Sequence, residues 1–156
     1  RKDDGFYFVG YFSKEKNSEE KNNLSCIMVL PSCQRSGYGK FLIDFSYSLS
    51  LLEGKEGTPE KPLSDLGHRT YVSYWTHKIL NVLLENRHTQ LSIQDITNQT
   101  AILPADIKYV LESYSILRNN QGKYYMYTEE AYLRKILSKS GHPGRPVQRH
   151  QIHWVP

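Results

Sequence analysis

Gln34-Arg35-Ser36-Gly37-Tyr38-Gly39-Lys40 decides how this chain folds. Before it stands an apolar run, Leu24-Ser25-Cys26-Ile27-Met28-Val29-Leu30, which Pro31 stops because proline cannot donate to a ladder. After it, Phe41, Leu42, Phe45, Leu49 and Leu52 recur at helical spacing, with Gly54 as a C-terminal stop. Strand, glycine turn and helix together set several backbone N–H groups at a helix N-terminus, where the dipole favours an anion. Glycines let a ligand approach the backbone without a Cβ in the way. Arg35 and Lys40 add positive charge. The turn is not a nucleotide P-loop, since the four residues required between the first glycine and Gly-Lys are missing. On its own it reads either as an anion cradle or as a plain tight turn.

Upstream, Phe6-Tyr7-Phe8-Val9-Gly10-Tyr11-Phe12 reads as a strand. Ser13 to Asn23 contains no apolar residue and reads as a long exposed hairpin loop. The run 24–30 is nearly all apolar, so a strand buried on both faces is expected. The helix after the turn is expected from Lys40 to about Glu53. Gly57-Thr58-Pro59-Glu60-Lys61-Pro62 is a loop held in place by two prolines. Ser64-Asp65 caps a short helical turn ending at Gly67, and an amphipathic helix is expected from Thr70 to Asn86 on Tyr71, Tyr74, Trp75, Ile79, Val82 and Leu83.

The last third differs in character. Ser92 opens a short helix ending near Thr100, and Pro104 opens another whose stripe is Ile107, Val110, Leu111, Tyr114 and Leu117. Gly122 separates two short strands, Ile116–Arg118 and Tyr124–Tyr127. Helix, turn, helix and hairpin is the layout of a winged helix. Its second helix exposes Asp106, Lys108, Glu112 and Ser113, a face without net positive charge, which favours a packing module over a strong phosphate binder.

Composition sets the outer bounds. A chain of 156 residues with 38% hydrophobic and 23% charged content fits one soluble globular domain, or one domain with a small appendage. No apolar run approaches the roughly 18 residues of a membrane span, and Arg1-Lys2-Asp3-Asp4-Gly5 shows no secretory signal. Two cysteines, Cys26 and Cys33, are too few for a disulfide framework or a four-ligand zinc site, so a reducing compartment is expected. The net charge is +4 and the pI about 9.0. Residues 131–156 hold no acidic side chain but carry Arg134, Lys135, Lys139, Arg145 and Arg149, which suits either a polyanion partner or an ordinary solvated terminus.

Longer motifs narrow the reading. Arg35-Ser36-Gly37-Tyr38-Gly39 carries the glycine pattern of the GNAT acetyltransferase superfamily. Tyr11-Phe12-Ser13-Lys14-Glu15-Lys16, Ser25-Cys26-Ile27-Met28, Gly37 through Tyr47, and Pro59-Glu60-Lys61-Pro62-Leu63-Ser64-Asp65-Leu66-Gly67 resemble the MYST family of lysine acetyltransferases. Tyr74-Trp75 and Trp154-Val155-Pro156 fit too, and Ser25-Cys26-Ile27-Met28 with Ile43-Asp44-Phe45-Ser46-Tyr47 leans toward its MOZ/MORF branch. Ser32-Cys33, Ser48 and Asn22-Asn23 depart from the family's usual residues.

The resemblance implies an α/β fold: a GNAT-like acetyl-coenzyme A-binding core with a partial central sheet over residues 1–87, then a winged-helix-like lobe with a basic tail over 88–156. It implies acetyl transfer from acetyl-coenzyme A to lysines of histone tails and nucleosomes, in the nucleus, with scaffold subunits of a chromatin-modifying complex and a weak DNA contact through the basic tail. No metal is expected in this chain, because the family's zinc finger lies upstream, with further strands and an autoacetylated lysine. The alternative is a noncatalytic acetyl-coenzyme A binder or chromatin-interaction module of the same family; a DNA-binding winged helix is the third.

By the same carry-over, Glu60 is the general base and Cys26 the active-site cysteine. Direct attack by lysine, with Cys26 lining the site, is preferred to an acetyl-cysteine route. Gln34, Arg35, Ser36, Gly37, Tyr38, Gly39 and Lys40 would cradle the pyrophosphate. Ser25, Ile27, Met28 and Val29 would meet the acetyl and pantetheine portion, one N–H facing the developing oxyanion, and Ser64 would contact the cofactor. The chemistry demands such a base. A lysine of pKa ~10.4 must lose its proton before attacking a thioester, and an ordinary Glu near ~4.3 is about six units too acidic, a mismatch of roughly 8 kcal/mol. Burial of Glu60 or desolvation of the incoming lysine must close much of that gap.

Overall fold

A computed structural model of the chain describes residues 5–155; residues 1–4 and 156, which hold the charged N-terminal stretch and the end of the Trp154-Val155-Pro156 motif, lie outside the described residues. In chain order the elements are β1 (Gly10–Phe12), β2 (Asn22–Leu24), β3 (Ile27–Val29), α1 (Tyr38–Leu52), β4 (Thr58–Pro59), α2 (Asp65–Glu85), α3 (Ile93–Thr100), α4 (Pro104–Ser113), β5 (Leu117–Asn120), β6 (Lys123–Met126) and α5 (Glu130–Lys139). β1 runs antiparallel to β3, with Tyr11 opposite Met28. β2 runs parallel to β4, and β5 and β6 form an antiparallel hairpin turned by Gln121 and Gly122, both at positive φ.

One apolar cluster joins these pieces. Ile43 and Tyr47 of α1, Tyr71, Trp75, Ile79 and Leu83 of α2, Ile96 of α3, Ile107 and Leu111 of α4, and Leu133 of α5 are all buried in it. Each fully buried aliphatic or aromatic side chain contributes about 1.5–3 kcal/mol. Trp75 Nε1 donates to the Tyr47 hydroxyl at 2.8 Å, and Tyr47 stacks on Tyr74 at 5.4 Å between centroids, while the buried Tyr71 hydroxyl has no partner among the described residues.

Asp44, on α1 and only 5% exposed, is the polar counterpart of that cluster. Its carboxylate accepts from Tyr74 Oη at 2.9 Å and from the Val147 N–H at 2.9 Å, and pairs with Lys78 Nζ at 2.7 Å. Removing a buried charge from such a set strands its partners, at a cost of about 3–5 kcal/mol. Asp44→Ala is therefore expected to lower the unfolding free energy by about 3 kcal/mol or more in urea titration; a loss below about 1 kcal/mol would contradict this role.

Several expectations are corrected by the fold. Helix α2 begins at Asp65 rather than Thr70 and runs straight through Gly67. Ser64 Oγ accepts from the Gly67 N–H at 3.1 Å, and a cap worth about 1 kcal/mol offsets the similar cost of an internal glycine. The run 24–30 is not buried on both faces. Its ladder is the two-stranded pair β1–β3, and on its outer face Tyr11 is 46% and Met28 36% exposed. The stretch 13–23 is not all loop, because β2 starts within it and Thr58 N–H donates to Lys21 O at 3.1 Å. Asp106 does not sit on an exposed face: it is buried, accepts from Thr58 Oγ1 at 2.7 Å, and burial raises its carboxyl above the usual range. Residues 130–139, read only as basic tail, form α5, whose Leu133 and Ile136 are buried. Finally, α1 starts at Tyr38 rather than Lys40, so Tyr38 and Gly39 belong to its first turn.

Candidate active site

The turn between β3 and α1 is built by its own backbone. Arg35 and Gly37 take positive φ values of 59° and 87°, the second of which suits glycine alone without penalty. Gln34 Nε2 donates to Val29 O at 3.1 Å and ties the turn to the end of β3. The first helical hydrogen bond is Phe41 N–H to Gly37 O at 3.0 Å, and no side chain caps the helix. The N–H groups of Arg35, Ser36, Gly37, Tyr38, Gly39 and Lys40 therefore have no acceptor among the described residues. No acidic side chain lies in the first turn of α1. A row of N–H groups at a helix N-terminus is the arrangement that favours an anion.

The charge at the turn is not arranged as the sequence suggested. Lys40 turns away from it. Its ammonium donates to Ser73 Oγ and to His142 O, and burial lowers its pKa. The segment it holds, residues 140–147, crosses α2 as a strap: Ser73 Oγ donates to Ser140 O, His77 Nε2 meets Gly141 O at 2.8 Å, and Val147 N–H reaches Asp44. Along this strap comes Arg145, whose Nε donates to Ser36 O at 3.2 Å and whose guanidinium carbon stands 5.0 Å from the Tyr38 ring centre. Arg145 escaped the sequence reading because 109 residues separate it from Ser36, and nothing in its neighbourhood marks it beyond the basic tail.

Among the described residues β3 pairs along one edge alone. Ser13 N–H donates to Cys26 O at 2.8 Å and Leu30 N–H to Val9 O at 2.9 Å. The antiparallel alternation then directs the main-chain groups of Met28 toward β1, and those of Ile27 and Val29 toward the unpaired edge. The carbonyl of Val29 holds Gln34, which leaves the two N–H groups and the Ile27 carbonyl available there. Met28 offers its half-exposed side chain instead.

Glu60 directly follows β4. Its N–H donates to Leu24 O at 2.9 Å, which sets it beside the strand end that leads through Ser25 to Cys26. Cys26 is exposed and free, not part of the core. The Glu60 side chain is exposed, so the burial that the base role called for is not present among the described residues. It opens instead on a trough of about 370 Å³ lined by Glu15, Asn17, Ser18, Glu19, Glu20, Asn22 and Glu60, four carboxylates and no cation. Ser64 caps α2 as an acceptor, which leaves its hydroxyl proton free to donate elsewhere. Among the described residues no cluster of three or more His, Cys, Asp or Glu side chains is arranged to hold a metal ion.

The turn's N–H groups have no acceptor among the described residues, β3 keeps one edge unpaired and Glu60 follows β4; the family comes from comparison with known proteins. The MOZ/SAS family model matches residues 1–152, and the chain belongs to that family. Histone acetyltransferase of the MYST family 2 from Arabidopsis thaliana is 46% identical over 154 residues, covering 99% of this chain and 34% of the relative. Histone acetyltransferase ESA1 of Yarrowia lipolytica is 41% identical over 156 residues, 100% of this chain and 33% of its own length. Human histone acetyltransferase KAT6A is 43% identical over 154 residues, 97% of this chain and 8% of the relative. The chain thus spans about a third or less of the length of these relatives. No described helix is long and apolar enough to cross a membrane.

Proposed function

We propose that this chain forms the cofactor-binding part of a histone acetyltransferase, with acetyl-coenzyme A as co-substrate, lysines of histone tails as acceptors and Glu60 as general base. The observation that carries the reading is the bond from Glu60 N–H to Leu24 O, which sets Glu60 at the end of β2, where the chain passes through Ser25 and Cys26 into β3 and on to the row of free N–H groups. Acetyl-coenzyme A, when bound, supplies the thioester carbonyl that the lysine amine attacks. The N–H groups of residues 35–40 hold its pyrophosphate, and the open edge of β3 at Ile27 and Val29 lies against the pantetheine and acetyl end. A Cβ on Gly39 would meet nothing nearer than Thr70 Cγ2 at 4.0 Å, so packing within the chain leaves room for a ligand to approach there. Glu60 takes the proton from the lysine nitrogen. The nitrogen forms the amide bond as the thioester C–S bond breaks, and the second proton the nitrogen loses goes to the sulfur, so that coenzyme A leaves as the thiol, with Cys26 lining the site and forming no bond.

Glu15, Glu19 and Glu20 stand beside Glu60 in the trough, while the adjoining cavity that shares Glu15 and Glu19 is also lined by Lys14, Lys16, Lys21 and Lys55, so the charge around Glu60 is mixed. With Glu60 exposed, desolvation of the incoming lysine is left to bridge the acidity gap. In this reading residues 1–87 are a GNAT-like core and 88–156 a winged-helix-like lobe that supports it, in a nuclear protein that works with scaffold subunits on chromatin. The test is acetyl transfer to a lysine-rich histone-tail peptide, followed by mass spectrometry. Acetylated lysine with wild-type protein is expected; cofactor binding without transfer would instead support a noncatalytic module.

A further inference from the structure

We propose that Arg145, delivered by the strap 140–147, is the cation that binds the cofactor's pyrophosphate at the glycine turn, in the place that Lys40 leaves. The inference rests on the cofactor site proposed above and names a residue that reading did not contain. A pyrophosphate set against free N–H groups carries two negative charges that the dipole of α1 balances only in part. Lys40 cannot complete the balance, because Ser73 and His142 hold its ammonium away from the turn.

Arg145 is placed to do so. The strap lies directly on the turn, so that a Cβ added to Gly37 would sit 3.5 Å from Arg145 Cγ and 3.6 Å from Arg145 N. One guanidinium edge is anchored by the bond from Nε to Ser36 O and by the Tyr38 ring. That anchor leaves the two terminal nitrogens without a protein acceptor among the described residues, and a planar fork suits bidentate contact with phosphate oxygens. The strap itself is fixed by groups that a ligand at the turn does not need: Ser73, His77, and Asp44 through Val147 N–H. Its position is therefore set before any ligand arrives, which lowers the ordering cost of the contact.

The experiment is calorimetric titration of wild-type protein and the variants Arg145→Ala and Arg145→Lys with coenzyme A and with dephospho-coenzyme A, which keeps the pyrophosphate but lacks the 3′-phosphate. Arg145→Ala is expected to bind both ligands about 10-fold more weakly, Arg145→Lys to recover part of that loss, and the melting temperature to stay within about 2 °C of wild type, as for other exposed substitutions. Equal affinity in wild type and Arg145→Ala would overturn the proposal while leaving the cofactor site standing. A loss seen with coenzyme A but absent with dephospho-coenzyme A would overturn the pyrophosphate assignment. Wild-type protein that binds neither ligand would overturn the cofactor reading and this inference together.

Discussion

Gly37→Glu is expected to weaken coenzyme A binding by at least 100-fold. Two effects act together. Gly37 stands at φ 87°, where a side chain costs about 1–2 kcal/mol, and the new carboxylate enters a turn whose free N–H groups select anions. The fold survives, because Gly37 has only ordinary van der Waals neighbours at 3.5 Å and beyond, and a strain of this size is a fraction of a domain's 5–15 kcal/mol. Gly37→Ala separates the two effects: it carries the strain without the charge, so it is expected to lose much less affinity. Calorimetric titration of both variants decides the matter. Full affinity in Gly37→Glu would mean that coenzyme A does not lie on this turn.

Glu60→Gln is expected to reduce the acetylation rate by about 10²–10⁴ near neutral pH, the range that a positioned general base contributes. The change is nearly isosteric, the side chain is exposed, and its structural bond is made by the backbone to Leu24 O, so folding and coenzyme A affinity are expected to stay as in wild type. The deficit has a direction with pH. As pH rises toward the ~10.4 of a free lysine, more of the acceptor is already deprotonated, less is asked of a base, and the gap between variant and wild type narrows. A pH–rate profile of the two proteins checks this; equal rates at pH 7 would remove Glu60 from the base role.

Much of the layout was legible because local chemistry agreed with tertiary packing. The glycine pair, the apolar stripe of α1 and the Ser64 and Ser92 caps are short-range signals, and Ser92 with Asp95 closes a full capping box. Other features were not legible because they rest on contacts distant in sequence. Asp106 looks like one more surface carboxylate until Thr58, 48 residues away, is placed beside it. Lys40 reads as a ligand-facing cation until His142, 102 residues away, takes its ammonium. Helix α5 does carry a local signal: Tyr132, Leu133, Ile136 and Leu137 share one face at helical spacing, within a segment whose composition is dominated by basic residues. In the candidate site the residues were named from motif, whereas their division of labour came from geometry: Ile27 and Val29 toward the open edge of β3, Met28 toward β1.

Amide NMR of the labelled protein, titrated with coenzyme A, reads whether the backbone N–H groups of residues 35–40 hold the cofactor's phosphates. The amide resonances of Ser36, Gly37, Tyr38, Gly39 and Lys40 are expected to move farthest, with those of Ile27 and Val29 next, while β5 and β6 stay unchanged. Binding with the largest shifts in the β5–β6 hairpin or in α3 and α4, and none at the turn, would contradict it.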